Sequence, residues 1–368
     1  MSKASDLDVS SLSPNDIPDA VDVVLADYIQ SRKDALDAIG EPVSKALGHL
    51  EDFILGGGKR IRPVFGWAGF LGADGFAGEE EPHAVLRAVS ALEFIQTCAL
   101  VHDDIIDKSD TRRGRPTVHK AVAAHHEQNA WSGDADHFGV SVAILIGDLA
   151  LAWADDMVFD SGLSDAALRR SREPWRSMRS EVIGGQMLDI ALEAMASEDG
   201  RLSRSVNRYK TAAYTIERPL HLGAALAGAP QQIIDGFRGY GHDIGIAFQL
   251  RDDLLGVFGD PAATGKGVYD DLREGKRTEL LALALRRSDE HSPAAAETLR
   301  RSIGVVDTHE ELAQLAEIIE SSGAVEEMER RIEKLTDSGI AHLHDAGVPQ
   351  DVIDTLIGLA HQATRRRS

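Results

Sequence analysis

The sequence predicts an all-α protein built as a single large helical bundle, and three observations carry that reading. Alanine and leucine dominate the 43% of hydrophobic residues while aromatics reach only 5%, a mix that favours helices over β-branched, aromatic-rich strands. Apolar positions recur with helical spacing almost throughout, and the breaks between them are glycine-rich or polar. No segment reads convincingly as a strand ladder.

Residues 1 to about 17 are acidic and rich in Ser and Asp, and are expected to form a disordered tail ended by the helix-start signal Ser13-Pro14-Asn15-Asp16. With no composition shift to mark a linker, one domain is expected over residues 18–368. Val21, Val24, Leu25 and Tyr28 make the first apolar stripe, and Val85, Leu86, Val89, Leu92, Ile95, Ala99 and His102 make another. Further helices are expected over Val140 to Val158, Ala167 to Ala194, Val206 to Leu226 and Ile233 to Phe258. Breaks fall at Gly56 to Gly58, Gly72 to Pro82, Gln128 to His137, Ser197 to Arg204 and Asp260 to Glu274.

Lys and Arg total 39 against 60 Asp and Glu, a formal charge of −21. Such a chain repels nucleic acid and anionic lipid, so any polyanion it binds must meet local basic clusters. The single cysteine, Cys98, excludes an intramolecular disulfide framework and fits a reducing compartment. The N-terminus lacks a basic region followed by an apolar stretch, and the apolar run Phe138 to Ile146 is too short to span a bilayer. A cytoplasmic location without stable membrane insertion is therefore expected.

Four motifs carry chemistry. In His102-Asp103-Asp104-Ile105-Ile106-Asp107, Asp103 and Asp107 lie one helical turn apart on one face, at the end of the apolar run Phe94 to Val101. Hard carboxylate donors without Cys suit magnesium, which binds through carboxylates plus substrate phosphates. Alone, such a pattern is more often an exposed acidic face; the apolar run before it favours a site. Arg112-Arg113-Gly114-Arg115-Pro116 follows, and guanidinium groups grip diphosphate oxygens in forked geometry, although simple surface pairing with Asp107 and Asp110 would also explain them. Gly56-Gly57-Gly58-Lys59-Arg60-Ile61-Arg62-Pro63 can present backbone N–H groups and positive charge to an anion; a plain tight turn is the alternative. Last, Gln249-Leu250-Arg251-Asp252-Asp253 ends a second apolar helix, and Lys266 and Gly275-Lys276 follow on loops. Between the aspartate motifs sit Gly185-Gln186-Met187-Leu188-Asp189 and Tyr209-Lys210-Thr211, uninformative singly.

In this order the motifs resemble the trans-isoprenyl diphosphate synthase (polyprenyl synthetase) family over roughly residues 20–360, and the variant with Gly256 resembles actinobacterial geranylgeranyl diphosphate synthases. The resemblance implies an isoprenoid synthase bundle around a deep central cavity, usually a homodimer. It implies a magnesium-dependent transfer, with three ions once substrate is bound, that condenses isopentenyl diphosphate with dimethylallyl, geranyl or farnesyl diphosphate, mainly to geranylgeranyl diphosphate. By resemblance Asp103, Asp107 and Asp252 hold magnesium, with Asp104 and Asp253 supporting. Lys59, Arg62 and Arg113 grip isopentenyl diphosphate. Arg112, Lys210, Thr211, Gln249 and Lys266 grip the allylic diphosphate, over which Lys276 closes. Two departures stand out. Gln96 occupies a place where the family commonly has histidine, keeping a hydrogen bond but no proton to give. Gly256 occupies the place of a third aspartate.

If the allylic diphosphate is held at Asp103 and Asp107, its tail runs back along the same helix, where one turn rises ~5.4 Å, close to one isoprene unit. Cys98 and Ala99 are small and pass the tail; Phe94 and Ile95, one turn deeper, are bulky and stop it near geranylgeranyl length. The alternative is that Phe94 packs in the core and another helix supplies the floor. Rival functions are a farnesyl or longer-chain synthase, a class I terpene cyclase, a catalytically silent subunit and an acidic cation buffer. The second basic cluster and the intact Asp103, Asp107, Arg112 and Lys210 count against the last three.

Overall fold

The structure, a computed structural model, describes residues 3–259 and 268–364. It is helical, and the chain divides into two compact units, one of residues 1–174 and 219–229, the other of residues 175–218 and 230–368. In chain order the helices are α1 Ile17–Asp37, α2 Glu41–Leu55, α3 Ile61–Leu71, α4 Pro82–Ser90, α5 Leu92–Ile106, α6 Val118–Gln128, α7 Ala135–Phe159, α8 Asp165–Ala194 and α9 Gly200–Val206. A π-helical segment, Asn207–Glu217, leads into α10 Arg218–Ala227 and α11 Gln231–Phe258. The chain closes with α12 Asp270–Glu274, α13 Glu279–His291, α14 Pro293–Ser302, α15 His309–Ser321, α16 Ala324–Ala346 and α17 Gln350–Thr364.

The first unit is built on α5, which packs against α7, with α1 to α4 and α6 around them. Helices α3 and α10 cross with their backbones in contact, because glycine stands at the crossing on both sides. A Cβ at Gly69 would lie 2.2 Å from the Leu220 carbonyl oxygen, and one at Gly223 would lie 1.8 Å from that of Gly66. The expected disordered tail is instead packed here. Val9 is buried, the Trp67 indole donates to the Leu12 carbonyl at 3.2 Å, and the Ala4 N–H donates to Asp27 at 2.6 Å. Apolar residues in this segment found partners that its Ser/Asp composition concealed. Ser13 does bond Asp16 just before α1, as the helix-start signal implied.

One further expectation is refined and one corrected. By length and composition, Pro82–Ile106 and Ala135–Phe159 are apolar enough to cross a membrane, although each carries charged residues and neither is an uncharged run. Most of the first is buried in the unit's own core. A two-residue antiparallel hairpin also exists, β1 Thr111–Arg112 paired with β2 Arg115–Pro116. Its loop residues Arg113 (φ 53°) and Gly114 (φ 74°) both take positive φ, as a two-residue hairpin loop requires.

The second unit is organised on α11, flanked by α16 and the π-helical segment. That segment was expected to be part of one helix, Val206 to Leu226. Its wider turns fit because glycines face it: a Cβ at Gly245 would lie 2.5 Å from Ala212, and one at Gly241 would lie 2.4 Å from Glu217. Two expected breaks are also shorter than anticipated, since α9 begins at Gly200 and α12 occupies Asp270–Glu274. Leu250, Leu254, Leu280, Leu299, Leu312 and Met328 lie in the core of this unit.

Candidate active site

In the first unit, α5 delivers its apolar residues inward and its aspartates at its C-terminal end. The Asp103 side chain is 21% exposed, while Asp107 is exposed at the cap, its N–H donating to the Asp103 carbonyl at 2.8 Å. Asp104 points the other way and is 1% exposed. The Arg112 Nε donates to its Oδ1 at 2.8 Å and Nη2 lies 2.7 Å from the same oxygen, while Nη2 stands 3.8 Å from Asp103 Oδ2. Burial lifts the Asp104 carboxyl above its ordinary value, with Arg112 pulling the other way. The middle aspartate of the motif thus anchors the hairpin, while Asp103 and Asp107 lie on the more accessible face of the helix end.

The hairpin sets Arg113 beside the glycine loop, its Nη1 donating to the Gly57 carbonyl. Non-glycine residues avoid Arg113's left-handed conformation, so the backbone is strained where this guanidinium is placed. A Cβ at Gly58 would lie 3.5 Å from Arg113 Nη1, and one at Gly56 would lie 3.1 Å from Arg115 Nη1. Burial lowers the Arg113 pKa, and Arg112, Arg60 and Arg62 lower it further. Cations that repel one another at a glycine loop are relieved by an anion. Lys59 is exposed and Arg62 half-buried. Between them Arg60, itself left-handed at φ 47°, turns inward with its guanidinium 2.7 Å from both Glu93 and Asp22, and donates to the Ile54 carbonyl at 2.5 Å. Sequence reasoning missed Arg60, Glu93 and Arg115; three basic residues in four give no sign of which turns inward.

Further up α5, Cys98, Ala99 and Gln96 are half-buried, whereas Ile95 is 2% and Phe94 0% exposed. Phe94 meets Tyr28 and Trp153 edge-on, with ring centroids at 5.5 and 5.9 Å. Gln96 Oε1 is buried and has no hydrogen-bond partner among the described residues. Burial, with Asp148 nearby, pushes the Cys98 thiol up to about 11.

In the second unit, Asp252 is half-buried near the end of α11 and Asp253 is 3% exposed. The Gln249 amide, assigned by resemblance to the substrate, donates to Asp253 Oδ1 at 2.9 Å. Burial pushes the Asp253 carboxyl up to about 8, with Asp271, Glu279 and Asp252 adding to the rise. On the π-helical segment, the Lys210 ammonium lies 2.6 Å from Asp189, and Thr211 is half-buried. A Cβ at Gly185 would lie 2.4 Å from the Lys210 backbone nitrogen, so the two uninformative sequence pairs are one packed element. Lys276 holds Glu274 at 2.8 Å and Asp271 at 3.6 Å. Lys266 lies outside the described residues.

The donor sets fit magnesium. They are carboxylate oxygens on helix ends, and Asp253 Oδ2 is buried with no partner among the described residues. No three Asp, Glu, His or Cys residues among the described ones form a metal cage. Magnesium needs none, because it keeps waters and shares its coordination with substrate phosphates.

The sequence profile described as polyprenyl synthetase matches residues 44–320. The chain belongs to the polyprenyl synthetase family. It is thus a trans-isoprenyl diphosphate synthase, a prenyltransferase with the all-α fold of that family. Among solved structures it is similar to a geranylgeranyl pyrophosphate synthase from Corynebacterium glutamicum, complexed with isoprenyl diphosphate and magnesium. Identity is 57%, the TM-score is 0.94, and the match covers 97% of this chain and 100% of that one. Curated relatives include a geranylfarnesyl diphosphate synthase from Aeropyrum pernix, 34% identical over 301 residues, covering 81% of this chain and 86% of the relative. A (2E,6E)-farnesyl diphosphate synthase from Mycobacterium tuberculosis is 33% identical over 316 residues, covering 84% and 80%. These polyprenyl synthetases make products of different lengths, so family membership leaves the product open.

Proposed function

We propose that this synthase condenses isopentenyl diphosphate with dimethylallyl, geranyl and farnesyl diphosphates, and that its main product is geranylgeranyl diphosphate. The observation that carries the product length is the step on α5, with half-buried Cys98 and Ala99 above sealed Phe94 and Ile95. The 57% identity to a geranylgeranyl pyrophosphate synthase supports it. Phe94 lies in the core with Tyr28 and Trp153, so the floor at that depth is an aromatic cluster.

Asp103, Asp107 and Asp252 are the proposed magnesium-holding carboxylates, with Asp253 supporting Asp252. Magnesium bound there would offset the negative charge that gathers on the departing diphosphate. Arg112, seated on Asp104, and Lys210, seated on Asp189, would each give part of their hydrogen-bonding capacity to that diphosphate. Lys59, Arg62 and Arg113 would hold isopentenyl diphosphate at the glycine loop, and Gln96 would give it a hydrogen bond. The apolar wall of α5 keeps water from the allylic cation. The alkene of isopentenyl diphosphate then attacks that cation, and a proton passes to the released diphosphate.

The enzyme is proposed to work in the cytoplasm as a homodimer; Leu145, 65% exposed on α7, suits a covered face. The test is product analysis. The protein is incubated with magnesium, isopentenyl diphosphate and each allylic primer in turn, and its mass is read by light scattering. A twenty-carbon main product from all three primers is expected; a fifteen-carbon or much longer one would defeat the length assignment.

A further inference from the structure

Arg60 stands between Lys59 and Arg62, yet its side chain is only 3% exposed. It is the N-cap of α3, with φ 47° and ψ 35°, and its side chain makes no cap bond. Both features are locally unfavourable: an L-residue avoids the left-handed region, and a helix start prefers Ser, Thr, Asp or Asn. Contacts from three other helices offset this. The Arg60 Nε donates to Asp22 of α1 and Nη1 to Glu93 of α5, both at 2.7 Å, and Nη2 donates to the Ile54 carbonyl of α2 at 2.5 Å. Glu93 is 5% exposed, so this ion pair is buried on both sides. A planar guanidinium reaches these acceptors in fixed directions, which a flexible ammonium does not reproduce.

The same carboxylate acts on a second cation. Burial and then Arg112 lower the Arg113 pKa, Arg60 and Arg62 lower it further, and Glu93 opposes them. A Cβ at Gly58 would lie 3.4 Å from Arg60 Nη1 and 3.5 Å from Arg113 Nη1, so two guanidinium groups converge at the glycine loop. Cations held this close repel, and unrestrained they would spread apart. An anion site that must be gathered on binding loses affinity to that ordering, whereas one already held does not. We propose that Arg60 is a positioning residue for isopentenyl diphosphate: locked to Glu93, it ties the glycine loop to α5 and keeps Lys59, Arg62 and Arg113 gathered before the substrate arrives. A buried ion pair contributes little net stability over packed apolar side chains, so the orientation it imposes can be separated from the fold around it. The inference rests on the assignment of Lys59, Arg62 and Arg113 to isopentenyl diphosphate.

The test is initial-rate kinetics on the full-length enzyme with magnesium, each substrate varied against a saturating concentration of the other. Arg60→Lys keeps the charge and loses the fork. It is expected to raise the KM for isopentenyl diphosphate at least fivefold, with kcat and the KM for farnesyl diphosphate within twofold of native. The double variant Arg60→Met with Glu93→Met exchanges the ion pair for apolar side chains and leaves Asp22, 46% exposed, to water. It should melt close to the native temperature and keep the raised KM, and it carries the test if Arg60→Lys loses its helical circular dichroism. A native KM for isopentenyl diphosphate in the double variant, or equal rises of both KM values in Arg60→Lys, overturns the proposal. So does a double variant that fails to fold, since the pair would then hold the fold rather than the loop. Lys59→Ala separates the two layers. If it raises the KM for isopentenyl diphosphate while neither Arg60 variant does, only the role of Arg60 fails; if none does, the assignment of the glycine loop fails with it.

Discussion

Arg112 and Asp104 form a nearly closed pair, with Nε at 2.8 Å and Nη2 at 2.7 Å from one carboxylate oxygen of a residue that is 1% exposed. The three aspartates of the first motif therefore divide their work. Asp104→Ala should cost about 3 kcal/mol of stability, because it leaves a guanidinium and a buried site uncompensated. It should also raise the KM for the allylic substrate by loosening the hairpin. Asp103→Ala should leave the melting temperature close to native and reduce kcat by a thousandfold or more. A loss in Asp103→Ala of only tenfold, about 1.4 kcal/mol of barrier, would remove Asp103 from the metal site.

The basic cluster at the glycine loop predicts a separation of substrates. Lys59→Ala and Arg62→Ala should each raise the KM for isopentenyl diphosphate roughly tenfold, about 1.4 kcal/mol, with little change for the allylic primer. Arg112→Ala should do the reverse. Initial-rate kinetics with each substrate varied in turn decide it, and equal effects on both would dissolve the division.

A pH effect is expected on the π-helical segment. Glu217 is buried, bonded by Arg208 and receiving Arg238 Nε at 3.1 Å. Burial alone would raise its pKa, but Arg208, Arg218 and Arg238 outweigh it and hold the carboxyl below its ordinary 4.5. A depressed carboxyl pKa contributes stability that is present above pH 4.5 and lost as pH falls through the folded-state value. Glu217→Gln should thus melt well below the native protein at pH 7, with the gap narrowing as the pH is taken from about 4.5 downward. Melting temperatures measured from pH 3 to 7 test this; a constant gap would contradict it.

Much of this was legible in the sequence. The spacing of Asp103 and Asp107 on an apolar helix, and the lengths of α7, α8 and α11, follow from period and composition, which are local. What was not legible depends on partners distant in the chain. Arg60 and Arg62 look alike until Glu93 takes one of them inward. Gly256 reads as an empty place until α12 sets the Asp271 carboxylate against it. Nothing in the sequence shows that the Gln249 amide bonds Asp253, four residues on. A two-residue hairpin is too short to show alternation, and the π-helical segment depends on glycines in α8 and α11. The tail misled because Val9 and Leu12 are sparse apolar residues in a polar run.

Product length gives the last prediction, and here packing changes what the mutants should report. Cys98 and Ala99 are half-buried, so a side chain added at 99 has room to grow along the face the tail would follow. Ala99→Phe should shorten the main product to farnesyl diphosphate and leave the fold unchanged. Phe94 is different, because Tyr28 and Trp153 close around it. Phe94→Ala removes a ring from a sealed aromatic trio and should cost about 3–5 kcal/mol, so its products must be read at a temperature where the variant is still folded. Given that condition, the floor deepens and the product should lengthen beyond twenty carbons. Ile95→Ala provides a milder version, with an expected cost of about 2–5 kcal/mol and the same direction of change. Chromatography of the dephosphorylated products distinguishes the outcomes. If Ala99→Phe still makes the native product and both deeper variants do as well, the length is set on another helix and the α5 ruler is wrong.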